Sequence, residues 1–162
     1  MLSKKMEKAL NNQINAELAS SYLYLSMSAN FMAQNLKGFA KWMSVQAREE
    51  NVHAMKIYGY VIERGGKVVL QAIAQPKTDW DSALAAFKDT YAHEQKVTAL
   101  IHDLVNLAAS EKDHATSVFL QWFVSEQVEE EANASEAVQT LTMIGDSKGS
   151  LLMLDHQMGK RE

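Results

Sequence analysis

A single proline, Pro76, stands in 162 residues, and the seven glycines are mostly clustered. Proline removes a backbone donor and clashes with the preceding turn, so a chain this poor in it can run in long helices. The apolar residues agree. After Ser3, which offers an N-cap, Leu10, Ile14, Leu18, Tyr22, Leu25, Ala29 and Met32 recur at three- and four-residue steps. The period predicts a first helix over about 4–34 and, past a turn at Asn35–Gly38, a second over about 39–64, stopped by Gly65-Gly66. So short a turn favours antiparallel neighbours. Residues 67–81 differ: Val68, Val69 and Leu70 suggest an extended piece, and Pro76 bars a helix. That link is long for a bundle and suits a crossover from one end to the other. Helices are expected again over about 82–110 and 114–144, and a short one over about 150–157. Leu151, Leu152, Met153 and Leu154 are too apolar for a free tail, so the last helix needs a dock. The whole chain, 1–162, reads as one all-α domain.

Composition narrows the function. A formal charge of −4, with no Lys/Arg stripe or aromatic platform, argues against nucleic acid. There are no cysteines, which excludes disulfides, Fe–S clusters, thiolate zinc and cysteine nucleophiles, and fits a reducing cytoplasm. Met1-Leu2-Ser3-Lys4-Lys5 carries no apolar signal core, and no apolar run is long enough to span a bilayer.

The chemistry concentrates in Glu50-Asn51-Val52-His53. Residues three apart on a helix lie about 60° apart around it, so Glu50 and His53 can point one way. Alone, such a pair is more often solvated. Glu17, Glu94 and the Gln127/Glu130 pair, however, sit on three other expected helices. Glu-x-x-His on one helix with single glutamates from others is the ligand pattern of di-iron sites in four-helix bundles. The spacing has a symmetry: 50 − 17 = 33 and 127 − 94 = 33. Each half is a hairpin with a glutamate on its first helix and a polar residue at the same offset on its second. Two such hairpins would meet about a pseudo-two-fold axis. Buried unpaired carboxylates cost several kcal/mol each, and no Lys or Arg set stands at matching heights. Iron would neutralise them, and oxygen ligands plus one imidazole suit iron better than zinc. Tyr24, one heptad from Glu17, could bond a ligand, donate an electron or simply fill the core. Glu49, Glu126 and Glu129 read as solvated unless a further cation gathers them.

The chain resembles the ferritins, most closely the haem-free bacterial ones, over essentially its whole length. The resemblance rests on Asn15-Ala16-Glu17-Leu18, Tyr22-Leu23-Tyr24-Leu25-Ser26-Met27, Gly38-Phe39-Ala40-x-Trp42, Glu49-Glu50-x-x-His53-Ala54 and Glu63-Arg64-Gly65-Gly66. Glu94 and Phe119-Leu120-Gln121-Trp122-Phe123-x-x-Glu126-Gln127-x-Glu129-Glu130 complete it. It implies an antiparallel four-helix bundle with a long crossover between helices two and three and a short fifth C-terminal helix. It implies a ferroxidase that oxidises Fe(II) with dioxygen or hydrogen peroxide and stores ferric oxyhydroxide in a hollow homo-oligomeric cage of twenty-four subunits. By resemblance, Glu17, Glu50 and His53 hold the first iron, and Glu50 bridges to a second held by Glu94 and Glu130. Gln127 supports the pair, and Glu49, Glu126, Glu129 and Glu130 form a third iron site.

Departures set the expectations further. A haem-ligating methionine in bacterioferritin follows the bridging glutamate, where this chain has Asn51, and Glu130 replaces that family's second histidine. No haem is expected. Animal ferritins' acidic pore positions fall near Ser117 and Leu120, so Glu111, Asp113 and His114 become the candidates to line a pore. The alternatives are another di-iron carboxylate oxidase, a peroxide-detoxifying bundle, or a non-catalytic helical interaction module.

Overall fold

Ser3, Ser82, Asp113 and Ser147 each accept a hydrogen bond from a backbone N–H of the turn that follows them. These caps satisfy donors that a helix start leaves free. In the computed structural model, which describes residues 1–162, they open α1 (Lys4–Ala33), α3 (Ala83–Ser110), α4 (His114–Ile144) and α5 (Lys148–Met158). The remaining helix, α2 (Lys37–Glu63), follows Leu36, which has no side-chain cap to offer. Its cap comes from elsewhere: Phe39 N–H donates to Asp155 Oδ1 of α5 at 2.9 Å. Thus α2 starts two residues before the expected Phe39, with Gly38 inside it.

The helices form an antiparallel bundle. α1 pairs with α2 and α3 with α4; the two hairpins meet along α1 and α3, and α5 lies across α2 and α4. The link 67–81 contains neither helix nor strand. The extended piece at Val68–Leu70 finds a side chain for a partner: Asn11 Nδ2 donates to Lys67 O at 2.9 Å, and Asn11 Oδ1 accepts from Val69 N–H at 2.6 Å.

Two apolar clusters make the core. One gathers Tyr24, Phe31, Phe39, Trp42, Trp80, Phe87 and Leu141. The other gathers Met6, Leu10, Ile14, Ile57, Val97, Ile101, Leu120 and Phe123. Every long helix passes from one cluster to the other and crosses a polar layer between: Glu17 on α1, Glu50 and His53 on α2, Glu94 on α3, Gln127 and Glu130 on α4.

One expectation needs correcting. Tyr22, Leu25 and Met32 do not face the core; they are 50%, 49% and 54% exposed. α1 carries two apolar faces, and the buried one runs through Leu10, Glu17, Tyr24 and Phe31. Two of the three pore candidates make contacts within the subunit. Asp113 caps α4 and pairs with Arg64 at 3.2 Å, and Glu111 accepts from Ser3 Oγ at 2.6 Å. His114 is exposed.

Candidate metal centre

The polar layer is as buried as the apolar clusters around it. Glu17, Glu50 and Glu94 are each 1% exposed, His53 3%, Glu130 4% and Gln127 5%. One oxygen of Glu17, one of Glu50 and one ring nitrogen of His53 lie within 4.8 Å of one another. Ligand atoms stand about 2 Å from a bound first-row cation, so donors this far apart close on one ion with shifts of a few tenths of an ångström. A second group with the same spread joins His53, Glu126 and Glu130. Glu50 Oε2 faces His53 Nδ1 at 3.4 Å, and Glu126 Oε1 faces His53 Nε2 at 3.6 Å.

Amides and a phenol orient the carboxylates. Gln13 Nε2 donates to Glu17 Oε1 at 2.8 Å, and Gln46 Nε2 donates to Glu50 Oε1 at 3.2 Å and to Glu130 Oε2 at 2.6 Å. Tyr24 donates its phenolic proton to Glu94 Oε1. Gln127 Nε2 donates to Glu94 Oε2 at 3.2 Å and lies 3.3 Å from Thr98 Oγ1. Each carboxylate therefore keeps oxygen lone pairs free to bind a cation, and Glu17 Oε2 has no hydrogen-bond partner at all. An orphaned buried acceptor is costly unless something positive meets it.

The electrostatics say the same. Burial pushes the Glu17 carboxyl up to about 8, and the Glu50 charge adds to it. Burial and the neighbouring Glu94 push Glu130 up to about 7. Glu50 and Glu94 are also raised, chiefly by burial; Glu94 and Glu130 push Glu50 further. The Tyr24 phenol moves well above its ordinary value for the same two reasons, burial and Glu94. Without a cation, the layer holds its charge down by binding protons. A divalent ion removes the need, so metal binding and proton release are coupled.

Of the expected third group, only part assembles. Glu126 and Glu130 converge on His53, but Glu129 is exposed, and Glu49 forms an ion pair with Arg161. Arg161 is a cation the sequence reading did not consider. It lies 112 residues from Glu49, beyond α5, and periodicity could not have placed it there. Gln13 and Gln46 were legible but overlooked. Each sits four residues before its glutamate, the spacing at which helix side chains meet, and they repeat the 33-residue offset: 46 − 13 = 33. His93 was also passed over. Its Nε2 lies 2.8 Å from Ser20 Oγ, its ring meets Tyr24 edge-on, and burial, with Lys96, pulls its pKa down to about 4. Trp122 meets His53 in a T-shaped contact, ring centres 5.3 Å apart, and carries Lys56 Nζ 3.9 Å from its ring centre.

Known proteins share this sequence and fold. The sequence profile of the ferritin-like domain matches residues 7–144. The chain is 40% identical over 161 residues to a bacterial non-haem ferritin of Staphylococcus aureus (strain MRSA252), covering 99% of this chain and 97% of that one. To a bacterial non-haem ferritin of Bacteroides fragilis (strain 638R) it is 44% identical, covering 99% of this chain and all of that one (100%). A solved open-pore ferritin from the hyperthermophilic archaeon Archaeoglobus fulgidus superposes with a TM-score of 0.99 at 54% identity, over 100% of both chains. With the fold, the buried carboxylate layer and full-length relatives in agreement, the chain belongs to the ferritin family.

Proposed function

We propose that this protein is an iron-storage ferroxidase whose substrate, Fe(II), is oxidised in the polar layer. The observation that carries the reading is the buried Glu17–Glu50–His53 group, with donor atoms within 4.8 Å and one oxygen of Glu17 unpartnered. In this reading Glu17, Glu50 and His53 take one iron. Glu94 and Glu130 take a second, with Glu50 shared between them. Gln127 and Tyr24 hold Glu94, and Gln46 holds Glu50 against Glu130. Two Fe(II) supply two electrons, the number that takes dioxygen to hydrogen peroxide with two protons. Glu17 and Glu130, protonated near neutrality, release protons as the irons bind. Hydrogen peroxide can accept the same two electrons and serves as the other oxidant.

A third iron position belongs to the same reading, with Glu126 and Glu130 as its nearest ligands and Glu49 and Glu129 able to swing in. Haem is not part of it: Asn51 follows the bridging glutamate and carries no axial sulfur. Assembly into a hollow shell of twenty-four subunits is supported by the exposed apolar Tyr22, Leu25 and Met32 on α1, and Leu70 on the crossover. The Archaeoglobus relative is described as an open-pore ferritin, and a pore requires a shell. No helix is long and apolar enough to cross a membrane. The absence of cysteine agrees with a reducing cytoplasm, where Fe(II) persists.

Glu50→Ala and His53→Ala should each lower the initial rate of Fe(II) oxidation by more than about a hundredfold, followed by ferric absorbance after mixing with aerated buffer. Oxidation at the parent rate in both would overturn the assignment.

A further inference from the structure

Arg161 is the cation that pairs with an acid of the outer group, Glu49. Its Nη2 pairs with Glu49, its Nη1 donates to Gln46 Oε1 at 2.8 Å, and its guanidinium lies 4.4 Å from the centre of the Trp42 ring. The side chain is only 20% exposed, so it is seated rather than trailing in solvent. The contact to Gln46 matters twice. With Oε1 turned to Arg161, the amide must direct Nε2 inward, where it donates to Glu50 and Glu130. One guanidinium thus holds the outlying carboxylate and orients the amide that joins two carboxylates of the polar layer.

We propose that Arg161 is a displaceable counter-cation: it holds Glu49 away from the third position until a metal ion arrives, and the ion must release it. This rests on the reading of Glu49 as a third-site ligand. Glu126 and Glu130 already converge on His53, whereas Glu49 is occupied by a unit positive charge. An ion gathered by all three carboxylates competes with Arg161 for the charge of Glu49. It would also sit beside the guanidinium and be repelled by it. Arginine suits such a latch because its flat cation binds a carboxylate and an aromatic face together, yet can leave without losing a proton. Third-position binding is therefore weaker than binding in the polar layer, and occupancy there frees the segment after α5.

The test is calorimetric titration of the assembled, iron-free protein with Zn²⁺, which is redox-inert. Four proteins are compared: the parent, Arg161→Gln, Arg161→Lys and Glu49→Gln. Arg161→Gln keeps a polar side chain without the charge, and should bind the third ion about five- to tenfold tighter, while the first two ions shift less. Arg161→Lys restores the charge and should stay nearer the parent. A third ion bound no tighter in Arg161→Gln overturns the latch. Glu49→Gln separates the two readings. If it weakens the third ion while Arg161→Gln changes nothing, Glu49 is a ligand and the latch is wrong. If it has no effect, the ligand assignment fails and the latch falls with it. A crystal of the Zn²⁺-loaded parent supplies a second readout. Arg161 swung off Glu49 supports the proposal, and Arg161 still paired with Glu49 beside a bound ion refutes it.

Discussion

At the scale of the residue, protons and metal compete for one set of oxygens. Glu17 and Glu130 sit near 8 and 7 in the fold, against about 4.5 in an unfolded chain. Between those limits the folded protein binds more protons than the unfolded one, so stability falls as pH rises. The contribution is full below about pH 4.5 and is lost as pH climbs through about 7 to 8. The iron-free protein should therefore melt roughly 5 °C or more lower at about pH 8.5 than at about pH 6, read by scanning calorimetry. Added Zn²⁺ should shrink or reverse that difference, because it replaces the protons. Gln46 gives a second expectation. Removing it in Gln46→Ala leaves Glu50 and Glu130 without their shared donor. Metal affinity or oxidation rate should drop about 10- to 100-fold, as for other groups that orient ligands. A variant that binds and oxidises like the parent would show that Gln46 only fills space.

At the scale of the element, α5 and α2 depend on each other. α2 has no cap of its own, and Asp155 provides one from 116 residues away. The approach is close: a Cβ on Gly38 would stand 1.6 Å from the Asp155 carbonyl oxygen. Backbone cannot yield that much, so Gly38→Ala should unseat α5. We expect a loss of about 1–3 kcal/mol, with faster amide exchange across 148–158. Unchanged exchange there would mean that α5 docks by other contacts. The crossover shows the same economy, with one side chain, Asn11, bonding the link at two points where a strand would need a neighbour.

At the scale of the whole molecule, the apolar surface left open on α1 and the crossover asks for partners. Tyr22, Leu25 and Met32 and, on the link, Val69 and Leu70 are each about half exposed or more. Such residues in one face of a long helix mark an interface rather than chance exposure. Light scattering should find a particle near twenty-four times the subunit mass of 18.1 kDa. Leu25→Lys should break it into smaller species by placing a charge in a buried contact. A parent that stays monomeric or dimeric at micromolar concentration would contradict the cage.

The helices were legible in the sequence because periodicity and turn residues act locally. Glu17, Glu50, His53, Glu94, Gln127 and Glu130 could be drawn together because equal offsets on paired helices imply equal heights. What the sequence could not decide is which side chains answer one another across long separations. Only tertiary packing put Asp155 at the start of α2, directed the Tyr22 face of α1 outward, and tied Asp113 to Arg64. Only packing, too, brought Arg161 to Glu49. Local pattern determines where a helix runs and which face is apolar. The partner a charge finds depends on the fold of every element between, and no spacing along the chain encodes it.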